Sequence, residues 1–268
     1  MENKFLNVYK LKTFIDNDKD KLNIKKLSSN KKAVNYIHYL LSKNDIYNNL
    51  VDWNNLSKNK NAIPLLLKYQ DKINWNKFSE NKNGIFLLKE NFDKINWYYL
   101  CCNENAIDLL KDNFYAIKWD LLSSNKNAIQ LLKSNLDKID LVRLSLNENA
   151  IDLLKEHKEI IEYFCLSSNK NAIDLLKENN EKINWETIAL NKNAIELIKE
   201  NLDKINFELL SENPNAIEIL EENKNKIDWN KLSLNTNAIK LLAENKEKIN
   251  WDLISLNKSI FFKKTILI

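Results

Sequence analysis

The chain has 268 residues, 44% of them hydrophobic, and 41 Lys and Arg stand against 37 Asp and Glu for a net charge of +4. That length and apolar content support a buried interior and argue against disorder. So thin a charge excess gives no bulk drive toward nucleic acid or an anionic membrane.

The first residues, MENKFLNVYKLKTF, lack a signal-peptide layout, and no apolar run is long enough to span a membrane, so an intracellular location is expected. Phe14-Ile15 and Asp20-Lys21-Leu22-Asn23 are the first traces of an internal repeat. Residues 24–30 match its WxxLSxN segment 29 residues before Trp53, which implies a seven-residue insertion in one unit. From Trp53 the register is regular. Trp53, Trp75, Trp97 and Trp119 are spaced by 22, Trp185, Trp229 and Trp251 continue the period, and Leu141, Tyr163 and Phe207 fill the remaining steps. The whole chain, 1–268, therefore reads as a single repeat domain: degenerate units over 1–52, regular repeats over 53–256, and a terminal helix over 257–268.

Within a unit the apolar spacing is helical. Ala194, Ile195, Leu197 and Ile198 share one side of a helix A whose other side carries Glu196, Lys199 and Glu200. Asn191 marks its expected start, and in the next unit Pro214 after Asn213 suggests an N-cap with proline in the first turn. The column Asn91, Asn113, Asn135, Asn179, Asn201, Asn223 and Asn245 is expected to end helix A in the left-handed conformation. A buried Ile follows (Ile183, Ile205, Ile227), then Asn or Asp as a second cap, then a short helix B in which Trp75, Phe78 and Ser79 share a face. Helices this short need their neighbours. The expected fold is thus all-α, an α-solenoid of about eleven two-helix repeats, extending as a curved rod on the order of 100 Å.

Enzyme chemistry finds no support, and no catalytic residue, cofactor or metal site is assigned. His38 and His157 are the only histidines, and the single glycine, Gly84, leaves no phosphate-cradling loop or nucleophile elbow. Cys101, Cys102 and Cys165 lack a C-x-x-C pair, and Cys101 stands in the Ser column (Ser79, Ser123, Ser145). Single-stranded nucleic acid is the alternative partner, because the Trp column could stack bases beside Lys94, Lys138, Lys182, Lys204, Lys226 and Lys248. Leu141 cannot stack, however, Asp93, Asp137, Glu181, Asp203 and Glu247 blunt the lysines, and Arg143 is the only arginine. The Trp column therefore reads as core.

The two residues after the Trp position are mostly polar, as in Asn76-Lys77 and Asn230-Lys231, and are expected to point outward. In mid-chain they turn apolar: Tyr98-Tyr99, Leu121, Val142-Arg143 and Phe164-Cys165, with Tyr115 nearby replacing an acidic residue. These eight residues form the candidate partner-binding patch, and the expected function is a protein-protein interaction scaffold or adaptor.

Written out as WxxLSxNxNAIxLLxxNxxKI followed by Asn or Asp, the unit resembles the Asn-rich 22-residue repeat proteins of mimivirus-like giant DNA viruses, with a match over about residues 24–259. The resemblance implies a viral protein in the host cytoplasm or the virion, and it carries no enzymatic residues. Asn is about one residue in six, a bias that AT-rich codon usage would produce.

Overall fold

An Asn or Asp before the Trp position does start helix B, because its side chain takes up a backbone N–H that the first turn leaves without a helical partner. Asn206 Oδ1 accepts from the Leu209 N–H at 3.1 Å, and Asp140 Oδ1 from that of Arg143 at 2.7 Å. Helix B then runs one turn to one and a half, as in Trp97–Leu100, Leu141–Leu146 and Phe207–Glu212. Helix A follows, as in Ile107–Asp112, Ile151–Glu156 and Ile217–Glu222. A 3-10 turn such as Lys158–Ile160 or Lys224–Lys226 completes most repeats, an element the two-helix expectation lacked. The computed structural model describes residues 5–267, and it is an all-α solenoid of short repeats.

The residue three after the Trp position, on the inner face of helix B, is the deep core. Leu100, Leu144, Leu166 and Leu210 are fully buried, as are Ala106, Ala150, Ala172 and Ala216 at the head of helix A, where only a small side chain fits. Two capping expectations are corrected. Asn191 and Asn213 do not cap helix A, which starts later, at Ile195 and Ile217. They open tight turns instead: Ala216 N–H donates to Asn213 O at 3.2 Å, so Pro214 occupies the second turn position, where its fixed φ is an advantage.

The Asn column after helix A is not left-handed either. No described residue has positive φ; Asn91 lies at φ −127°, ψ 53° and Asn223 at φ −122°, ψ 46°. These side chains close the helix by hydrogen bonding. Asn201 Nδ2 donates to Leu197 O at 3.0 Å, and its Oδ1 accepts from Lys204 Nζ at 3.1 Å. Asn201→Gly is therefore expected to destabilise by about 1 kcal/mol, since it loses the amide and frees the unfolded backbone. Equal or greater stability of the glycine variant in urea denaturation would restore the left-handed reading.

Where the repeat pattern suggests one domain over 1–268, the contacts resolve two compact units, Met1–Asn83 with Trp229–Ile268, and Gly84–Asp228. We call them the chain-end and mid-chain units. In the chain-end unit the seven-residue insertion is absorbed by a longer helix, Val34–Lys43, and an extra one, Tyr47–Leu50. The terminal helix expected over 257–268 is not found. A 3-10 turn, Lys258–Ile260, leads into strand β2, Phe261–Leu267, which pairs antiparallel with β1, Phe5–Leu11; residue 268 lies outside the described residues. The partner strand supplies the hydrogen bonds that a local helix would otherwise make.

The first and last repeats also meet directly. Asn23 N–H donates to Ser255 Oγ at 2.9 Å, and Asn30 Nδ2 donates to Ser255 O and Asn257 O at 3.1 and 3.2 Å.

Candidate functional site

The repeats are joined by polar side chains buried between them. Asn147 is 1% exposed, yet its amide is satisfied: Nδ2 donates to Ser123 O and Asn125 O of the preceding repeat at 2.9 and 3.1 Å, and Oδ1 accepts from Asn149 N–H. Asn169, Asn191 and Asn213 repeat this pattern in the mid-chain unit. A buried amide that keeps both ends paired is stabilising and fixes register. The Ser column is a second tie: Ser123 Oγ donates to Trp119 O and accepts from Asp140 N–H. Cys101 fills the same role, with Sγ donating to Trp97 O at 3.3 Å and accepting from Lys118 N–H at 3.2 Å. Burial pushes its thiol up from the ordinary value, so it is less nucleophilic than a free cysteine.

The Trp column is half-buried, not deep core. Its exposed faces are covered by the lysine three residues before the next repeat's Trp position. Lys138 lies 5.1 Å from the centroid of Trp119, Lys182 5.0 Å from Tyr163, Lys204 4.8 Å from Trp185 and Lys226 4.5 Å from Phe207. Cation-π contact thus covers aromatic faces that base stacking would need. It follows that Leu166→Ala, in the fully buried column, is expected to cost about 3–5 kcal/mol and Trp185→Ala about 2 kcal/mol. The reverse order in equilibrium unfolding would return the Trp column to the core.

Between the two Asn columns, charges link successive repeats of the mid-chain unit. Glu148 Oε2 lies 2.5 Å from Lys126 Nζ and 3.0 Å from Lys170 Nζ. Partial burial alone would raise its carboxyl, but the two lysines outweigh that and hold it below the usual carboxylate range.

Of the expected partner-binding residues, the helix B positions directly after the Trp column do face solvent: Tyr98 is 46% exposed, Val142 49% and Phe164 57%. Val142 and Phe164 lie on successive, mutually packed helices, Leu141–Leu146 and Tyr163–Ser168. Tyr98 belongs to the repeat two before Val142, and Asp120 holds the intervening position. The next position is not outward, because a 100° helical step turns it to the flank of helix B. Leu121 is 6% exposed and drops out of the patch, while Tyr99, Arg143 and Cys165 are half-buried. Tyr99 instead packs edge-on to Tyr98, with centroids 5.3 Å apart.

Among the described residues Tyr115 is the most exposed of the large apolar and aromatic side chains, at 85%, but it stands on the 3-10 turn Phe114–Ala116 and not on helix B. Phe86, 50% exposed on helix A, was not anticipated. The signal was present, since within the mid-chain unit its column otherwise carries Asp108, Gln130, Asp152, Asp174, Glu196 and Glu218.

Among the described residues no helix is long and apolar enough to cross a membrane. Comparison with protein-family models, with curated proteins and with solved structures gives no match.

Proposed function

We propose that the chain is a non-enzymatic scaffold or adaptor that binds a protein partner through the outward face of helix B around Val142 and Phe164. One observation carries this reading: two large apolar side chains stand about half exposed on adjacent helices, at a position where neighbouring repeats place Asp120, Glu186 and Glu208. Folding gains nothing from exposed apolar groups there, whereas a partner that covers them gains their burial. Arg143, half-buried beside them, adds a charged group able to engage a partner carboxylate or carbonyl. On the repeat resemblance alone, the scaffold would serve a virus in the host cytoplasm or in the particle.

The test uses a photo-crosslinking amino acid at position 164 and, as control, at position 208. A protein adduct formed only at 164, and lost in V142E/F164E with melting unchanged, is the expected result. Equal labelling at both positions, or capture of nucleic acid alone, would sink the proposal.

A further inference from the structure

The outward position of helix B changes character within the mid-chain unit. Over five successive repeats it reads Asp120, Val142, Phe164, Glu186 and Glu208, an apolar pair bracketed by carboxylates. The order in space is that of the sequence, since Asn147, Asn169, Asn191 and Asn213 each donate to a carbonyl of the repeat before. In the chain-end unit the same position carries Lys25, Asn54, Asn76, Asn230 and Asp252, with neither the apolar pair nor the bracket.

A third apolar side chain joins the pair. Leu146 stands four residues after Val142 on helix Leu141–Leu146, so the two share a face, and Leu146 is 47% exposed. Around these three the charge is one-sided. From the residue before the Trp position to five after it, these repeats set six carboxylates (Asp120, Asp140, Glu162, Glu186, Glu208 and Glu212) against two cations (Lys118 and Arg143), a local −4 in a chain of net +4. Asp140 is engaged in capping its helix, but Asp120, Glu162, Glu186 and Glu208 are exposed and form no ion pair with another described residue. Lys138, Lys182 and Lys204 add no net charge beside them. Each lies over an aromatic ring, of Trp119, Tyr163 and Trp185 in turn, and each follows its own acidic residue, Asp137, Glu181 and Asp203. A first-turn carboxylate also favours its own helix, yet the helices that carry Asn54, Asn76 and Asn230 form without one.

We propose, on the scaffold reading above, that the partner docked on Val142, Leu146 and Phe164 is a basic amphipathic segment, with apolar side chains bracketed by lysine or arginine. Apolar contact supplies burial at the centre, while cations on either side meet Asp120 and the pair Glu186 and Glu208. The same carboxylates repel an acidic segment or the phosphate backbone of a nucleic acid. From Asp120 to Glu186 the ladder takes three repeat steps, roughly 30 Å at about 10 Å each, which a helix of about 20 residues spans.

The probe is a displayed library of random peptides of about 20 residues, selected on the full chain and counter-selected on V142S/L146S/F164S. Peptides that survive both steps are expected to be net positive, with apolar residues at helical spacing. Their affinity, measured by fluorescence anisotropy at about 0.15 M salt, should fall at least about tenfold in D120N/E186Q and in F164S, with the melting temperature of each variant unchanged. It should be unaltered in D152N/D174N, which removes the same charge from exposed positions on helix A. Selected peptides that are neutral or acidic, or equal losses in the two charge variants, would overturn the basic partner and leave the apolar site standing. A selection that yields no peptide able to distinguish the chain from V142S/L146S/F164S would overturn the site itself, and the scaffold reading with it.

Discussion

Asn147→Ala is expected to cost about 3 kcal/mol or more, as much as truncating a buried leucine, although it removes only an amide. The side chain makes three hydrogen bonds at a site 1% exposed, and two of them reach carbonyls of the repeat before it. Alanine leaves those acceptors less well satisfied and opens a polar cavity between repeats. Asn149→Ala is the control, since that amide donates to Lys126 O in an exposed position, and a loss of about 1 kcal/mol or less is expected.

Asn147→Asp separates hydrogen bonding from volume. At neutral pH a carboxylate cannot donate and would face two carbonyl oxygens, so this variant should be less stable than Asn147→Ala. Its carboxyl would titrate above the unfolded value, so the deficit relative to the parent should shrink as the pH is lowered through that raised value. Chemical denaturation at neutral and acid pH measures both effects. An aspartate variant as stable as the parent at pH 7 would show that the buried amide is not the tie between repeats.

The repeat, its helical content, the buried Ile, and the Asn or Asp that starts helix B were all legible, because each depends on a local pattern recurring every 22 residues. The Asn columns were legible as columns but not in their role. An Asn a few residues before a helix has the same signature whether it caps that helix or donates into the preceding repeat, and only the burial of Asn147 and Asn169 distinguishes them. From sequence Asn201 reads as left-handed because asparagine tolerates that region, yet an amide donating to the carbonyl four residues back ends a helix equally well.

The candidate patch was half legible for a similar reason. Departures from a polar column located Tyr98, Val142 and Phe164, but one helical step separates an outward position from the flank that buries Leu121. The pairing of Phe5–Leu11 with Phe261–Leu267 could not be read locally, since each strand's partner lies at the other end of the chain.

The meeting of first and last repeats yields the second large effect. In an open solenoid Asn30 would lie in an end repeat with no neighbour on one side, and Asn30→Ala would cost little. Here its Nδ2 reaches Ser255 O and Asn257 O as Asn59 Nδ2 reaches Ser28 O and Asn30 O, and Ser255 Oγ accepts from Asn23 as Ser57 Oγ does from Asn74. Even the cation-π register continues, with Lys21 5.1 Å from the Trp251 centroid and Lys248 4.3 Å from that of Trp229.

The junction is therefore chemically one more repeat-to-repeat contact, made by residues more than two hundred positions apart. Asn30→Ala is expected to destabilise by about 3 kcal/mol, matching Asn147→Ala, because both lose the same three bonds at a buried site. Native-state hydrogen exchange supplies the local readout: the variant should lose protection around residues 23–30 and 252–257 together, since either side is ordered by the other. A cost below about 1 kcal/mol, within the range of surface substitutions, with protection unchanged at 252–257, would mean that the ends do not hold each other in solution.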